Sequence, residues 1–131
     1  MGYYKYARDQ HRKPKEKLDE LWQERLVEWR DQPSVKRIEN PTRIPKARQL
    51  GYKAKDGFVI VRAKIKKGGT KRKRITAGRR PKRAGQSRFS SKKSKQVIAE
   101  QRVSSKYDNL EVLNSYYVAE DGNRKWFEVV M

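Results

Sequence analysis

The chain has 131 residues, only 34% of them hydrophobic, and a formal charge of +20. That is one domain's length with a small core and strong self-repulsion, a balance that favours a polyanionic partner. There is no Cys for a disulfide or thiolate metal site and no run of about 18 apolar residues to cross a membrane, while three Trp and seven Tyr argue against a purely disordered solubiliser.

In chain order, the opening MGYYKYARDQHRKPK lacks the apolar core of a secretory signal, and a cytosolic address is expected. A helix is predicted over Pro14–Asp31. Pro14 suits a first-turn position, and Leu18, Leu21, Trp22, Leu26 and Trp29 form one apolar stripe before Pro33 stops it. Glu16, Glu20, Glu24 and Glu28 form a second, acidic stripe. It is either a solvated face or a dock for a basic arm of this protein or a neighbour.

Residues 32–57 read as an extended loop, because Pro33, Pro41 and Pro45 oppose helix continuation and push their predecessors toward extended geometry. Phe58–Lys66 reads as a strand. Val59, Val61, Ala63 and Ile65 make its apolar face, and Ile60, Arg62, Lys64 and Lys66 a face that turns basic. After Gly68 and Gly69, residues 70–88 cannot bury apolar surface and are expected to be disordered without a partner.

A helix over Ser91–Lys106 follows, capped by Ser90, Ser91 or Ser94, with a narrow apolar side of Val97, Ile98, Ala99 and Val103. Leu110–Ala119 reads as a strand, Asp121-Gly122 as a hairpin turn, and Lys125–Met131 as the returning strand. The expected fold class is α/β in the broad sense (α+β). It is one domain over 1–131: a small mixed sheet in strand–crossover helix–strand–strand order, an added N-terminal helix, and long basic loops at about 32–57 and 67–90.

The positive charge is local. Residues 57–99 contain no acidic side chain, whereas residues 100–131 carry more acids than bases. A basic segment attached to a folded body is the pattern of a nucleic-acid-binding surface. Arg grips phosphate with two prongs and stacks on bases, while Lys acts as a mobile point charge. The candidate RNA-binding residues upstream of the acid-free stretch are Lys5, Arg8, Arg12, Lys13, Arg43, Lys46, Arg48, Tyr52, Lys53 and Lys55. Within the stretch they are Arg62, Lys64, Lys66, Lys67, Lys71, Arg72, Lys73, Arg74, Arg79, Arg80, Lys82, Arg83, Arg88, Lys92 and Lys93. Tyr3, Tyr4, Tyr6 and Tyr52 stand among basic residues, where they either stack on exposed bases or pack on the fold.

Enzyme chemistry finds no constellation. His11 is the only His, so a His-pair metal site is impossible, and its neighbours Arg12 and Lys13 suit a surface or phosphate-facing role. The glycines do not form a phosphate loop. Glu120 and Asp121 read as exposed turn residues, and Ser90 and Ser91 as caps. No cofactor, metal or small-molecule substrate is expected.

The segments PTRIPKARQLGYKAKDGFVIVRAKIKKGGTKRKR (Pro41–Arg74), VLNSYYVAEDG (Val112–Gly122) and WFEVV (Trp126–Val130), with Tyr4-Lys5-Tyr6 near the start, occur in the right order along nearly the whole chain. This pattern resembles the archaeal and eukaryotic large-subunit ribosomal protein family fifteen-e; the absence of Cys and the segment SSKKSKQVIAEQR favour the archaeal branch. The resemblance implies a small sheet domain with long extensions, embedded in large-subunit ribosomal RNA in the cytoplasm beside other ribosomal proteins. It implies a structural role in assembly and translation without catalysis. It singles out Arg43, Lys46, Arg48, Lys53, Lys55, Lys66, Lys67, Lys71, Arg72 and Arg74 as RNA contacts. It also implies a basic tail beyond the last strand, which this sequence, ending at Met131, does not contain. The alternative is a free architectural nucleic-acid-binding or RNA-chaperone protein.

Overall fold

The computed structural model describes residues 2–69, 76–78, 82 and 90–131. Where one helix is expected over Pro14–Asp31, the chain builds two, α2 (Pro14–Lys17) and α3 (Asp19–Asp31), preceded by a further helix, α1 (Tyr3–Arg12). Pro14 disfavours helical geometry at Lys13, which sits at φ −136° and ψ 70° between α1 and α2. Leu18 adopts φ −138° and ψ 34°, yet its N–H still reaches Pro14 O at 2.9 Å and its carbonyl accepts from Trp22 at 2.7 Å. The junction of α2 and α3 is therefore a kink with hydrogen bonds on both sides. The expectation of an apolar stripe holds for Trp22, Leu26 and Trp29, which are buried, whereas Leu21 is exposed.

The loop expected at 32–57 contains two elements, β1 (Val35–Ile38) and α4 (Ile44–Gln49). Pro45 does not oppose α4, because it lies in the first turn, where its missing N–H would have no helical partner. β1 forms because β2 (Ile60–Lys66) offers an edge, pairing Val35 with Ala63 and Ile38 with Ile60. The pairing partner of β1 lies outside the segment.

The crossover helix α5 (Lys95–Ser104) leads to β3 (Asn114–Glu120) and β4 (Arg124–Val130), so the expected strand–helix–strand–strand order stands. Ser94 is the cap, its Oγ accepting from Val97 N–H at 3.2 Å. The sheet has the order β1-β2-β4-β3 and, in place of the mixed sheet expected, is antiparallel at every pairing. β2 and β3 run parallel, as a crossover connection requires, but β4 lies between them. The fold is α+β.

Both faces of the sheet are covered. On one, Trp22, Leu26 and Trp29 of α3 pack with Ala47, Ile60, Tyr116, Val118, Ala119, Trp126 and Val130. On the other, Ala99 and Val103 of α5 pack with Val61, Ala63, Ile65, Phe127, Val129 and Met131. The second face of β2 is thus not the open basic surface expected from its alternation. Its Arg62 guanidinium lies 3.9 Å from the centre of the Trp29 ring.

Candidate nucleic-acid interface

The surface of interest is assembled around the segment joining β1 to α4, and a buried acid holds that segment. Glu128, in β4, is fully buried and cross-strand from Arg62 on one side and Tyr116 on the other. Its carboxylate accepts from Thr42 N–H at 3.0 Å, from the Thr42 hydroxyl, from Arg62 Nη2 at 3.3 Å and from the Tyr116 hydroxyl. Burial, then the charge of Glu128, push the Tyr116 pKa far above its ordinary value, so the phenol remains a donor. Thr42 is tied to the core by this carboxylate, and the next residue, Arg43, donates from Nη1 to Tyr117 O at 3.1 Å.

Arg43 then stands between two adjoining clefts. A groove of about 510 Å³ is lined by residues 11–14, Glu16, Trp22, Arg43 and residues 117–120. A smaller cleft of about 220 Å³, lined by Arg8, His11, Arg43, Pro45, Lys46 and Gln49, lies between α1 and α4. Arg8, Arg12, Arg43 and Lys46 form no ion pair with a carboxylate among the described residues, whereas Lys13 pairs with Glu16 at 3.0 Å. Unneutralised cations gathered on one concave surface raise the local concentration of an anion. His11 registers this field: burial, then the charges of Arg43 and Arg25, lower its pKa, so at neutral pH it is an uncharged ring edge-on to Trp22.

A second basic cluster joins Lys64, Lys66, Arg102 and Arg124 around an open cleft with Ser34. Lys66 and Arg124 face each other directly across β2 and β4, an unfavourable like-charge pair unless an anion bridges it. Arg102 and Arg124 escape sequence reasoning because they lie in the slightly acidic last segment; only strand register places Arg124 beside Lys66.

The other candidate positions sort by what holds them. Arg62 and Lys64 are engaged by the protein's own groups. Arg62 is spent on Glu128, Thr42 and Trp29, and Lys64 donates to the Arg30 and Gln32 carbonyls at 2.7 and 2.6 Å, because α3 covers their face of β2. Arg48 is held by Tyr4, whose hydroxyl accepts from it and whose ring lies 5.5 Å away. Lys67 is part-buried against Glu120 and the Asp121 carbonyl. Tyr52 packs against the core, while Tyr3 and Tyr6 are exposed. Lys5, Lys53, Lys55, Lys66, Lys82, Lys92 and Lys93 are exposed, with Lys55 near the Phe58 ring and Lys93 bonded to Gln101. Lys71, Arg72, Lys73, Arg74, Arg79, Arg80, Arg83 and Arg88 lie outside the described residues.

Glu120 and Asp121, expected as exposed turn residues, are half-buried at the turn and ion-paired. Glu120 pairs with Lys67 and Lys125, and Asp121 with Arg30 at 2.9 Å. Along the acidic stripe, Glu16 pairs with Lys13 and Glu28 accepts from Gln32 at 2.6 Å. No group of three or more potential metal ligands occurs among the described residues.

Comparison with known proteins agrees with the motifs. The family model described as Ribosomal L15 matches residues 2–131. The protein named large ribosomal subunit protein eL15 in Natronomonas pharaonis is 51% identical over 131 residues, covering 99% of this chain and 67% of that protein. A protein of the same name in Thermoplasma volcanium is 50% identical over 117 residues, covering 89% of this chain and 59% of its own length. The chain therefore spans between about three fifths and two thirds of these relatives, and it belongs to the eL15 family of large-subunit ribosomal proteins.

Proposed function

We propose that the chain is a structural constituent of the large ribosomal subunit in the cytoplasm. In this reading it binds and stabilises folded ribosomal RNA, contacts neighbouring ribosomal proteins and catalyses no reaction. The observation that carries the reading is the convergence of Arg8, Arg12, Arg43 and Lys46 on adjoining clefts without a carboxylate partner among the described residues. Phosphate is the ligand such a surface fits, because ion pairs that the protein leaves unmade are available to a polyanion. Irregular concave surfaces also suit folded RNA better than a regular duplex groove.

The test is incorporation. An Arg8/Arg43/Lys46 triple-Ala variant should fail to co-sediment with large subunits assembled in its presence, while the unsubstituted chain enters them. Normal incorporation of the variant would remove the cleft from the interface. Equal affinity of the unsubstituted chain for duplex DNA and large-subunit RNA, measured at one salt concentration, would instead indicate a general nucleic-acid binder.

A further inference from the structure

We infer that Lys66, Arg102 and Arg124 form a second phosphate-binding site, which takes an RNA backbone segment other than the one held at Arg43. The inference rests on the RNA-binding reading above and adds a separate point of attachment to it. Register sets the site: Lys66 and Arg124 are direct cross-strand partners in β2 and β4, where two like charges oppose each other. Arg102, from α5, joins them around an open cleft of about 350 Å³ with Ser34 and Lys64. Lys66 and Arg102 are exposed and Arg124 is half-buried. None of the three forms an ion pair with a carboxylate among the described residues.

Lys64 is not a ligand, because the Arg30 and Gln32 carbonyls hold its ammonium at 2.7 and 2.6 Å. It still adds a fixed charge to the cleft wall. Burial, then the charge of Arg124, lower its pKa against a smaller opposing effect of Asp31, so the field of Arg124 reaches it. Cations crowded this closely favour an anion between them, and each Arg can grip phosphate with two prongs. The lining has no apolar floor for a neutral ligand and no carboxylate for a cation. The acid-free sequence continues from Lys66 through Lys67 to Lys71–Arg74, a continuity that suits a chain of phosphates better than an isolated anion.

The site shares no lining residue with the clefts at Arg43. The larger groove meets α3 at Trp22, whereas the second site adjoins the end of α3 through Lys64. From Trp22 to Arg30 an α-helix rises about 12 Å. The charges between are paired within the protein or acidic. Arg30 pairs with Asp121, and Lys67 and Lys125 pair with Glu120. Glu20, Glu24 and Asp31 stand exposed along α3. One phosphate track over that ground would meet carboxylates and engaged cations, so the two sites take separate segments.

The experiment follows the Nε–H resonances of Arg102 and Arg124 in the 131-residue chain, titrated with a mixed-sequence RNA decamer. Both should shift, and at about 0.15 M salt, where charges are screened beyond about 8 Å, they should still shift in the Arg8/Arg43/Lys46 triple-Ala variant. The midpoint in that variant should stay within about twofold, as for independent sites. Lys66→Gln relieves the like-charge pair and should fold at least as stably. Across a salt series it should make the slope of this local affinity shallower by about 0.7, the share of one phosphate on a single strand. Inorganic phosphate, at equal phosphate concentration, should shift both resonances less than the decamer.

Unmoved Arg102 and Arg124 resonances in a chain that binds the decamer would overturn the second site alone, as would an unchanged slope in Lys66→Gln. Loss of the shifts in the triple-Ala variant would show one continuous track in place of two sites. Equal shifts with inorganic phosphate would make it an isolated-anion site and overturn the RNA assignment. If the chain binds neither the decamer nor large-subunit RNA, the RNA-binding reading fails with it.

Discussion

At the scale of single residues, Glu128 is the most constrained side chain described. A buried carboxylate is a poor device for stability as such, since desolvation offsets most of what its ion pair contributes. Here it binds Thr42, Arg62 and Tyr116 together, and through Thr42 it holds the segment that presents Arg43. Glu128→Ala strands the buried Arg62 charge and should cost about 3–5 kcal/mol of unfolding free energy, the range for breaking a buried pair, measured by urea denaturation. A loss under about 1 kcal/mol, comparable to a surface ion pair, would show that the network is not the anchor. Nothing in the sequence distinguishes Glu128 from any acid in a terminal strand. Its role depends on strand register, which sets it opposite Arg62 and Tyr116.

At the scale of elements, the β3–β4 hairpin was legible from Asp121-Gly122, and its tip carries a testable charge arrangement. Asp121 Oδ1 accepts from Asn123 N–H at 2.8 Å and Arg124 N–H at 2.6 Å, while Oδ2 pairs with Arg30. Burial alone would raise the Asp121 pKa, but Arg30 and these two amides outweigh it and the net shift is downward. Hydrogen bonding to Lys125 is the main cause of the downward shift at Glu120, against a smaller opposing effect of burial. A carboxylate with a depressed folded pKa contributes stability above its unfolded value, near pH 4, and loses it as pH falls through the folded value. Urea midpoints should therefore drop on acidification below about pH 4, and less so in Asp121→Asn, which keeps an acceptor for the turn but loses the charge facing Arg30. The same acid loss in both proteins would exclude Asp121 as a contributor. By contrast, the segments of β1 and α4 read as loop from sequence, because the Pro residues around them signal interruption locally while the pairing of β1 with β2 is a long-range event.

At the scale of the molecule, helices on both faces of the sheet leave at the rim, around α1, α4 and the ends of β2 and β4, cations that form no ion pair with a carboxylate among the described residues. Each phosphate neutralised contributes about 0.7 to the logarithmic salt dependence of single-stranded RNA affinity. The Arg8/Arg43/Lys46 triple-Ala variant should therefore have a salt slope shallower by about 2, if each cation holds one phosphate. Weaker binding with an unchanged slope, measured by titration across a salt series, would assign the loss to altered structure and not to lost phosphate contacts.

The sequence by itself determined the α+β class, the order strand–helix–strand–strand, the hairpin turn, and through its motifs the ribosomal family. These follow from hydrophobic periodicity, turn chemistry and residue order, all of which are written locally. Only the tertiary structure decided which charges are available. Arg62 and Lys64 look like a basic strand face until α3 covers them, whereas Arg43 is presented because Glu128, remote in sequence, holds the residue before it. A charge can be counted along a chain, but its partner is set by which elements pack together.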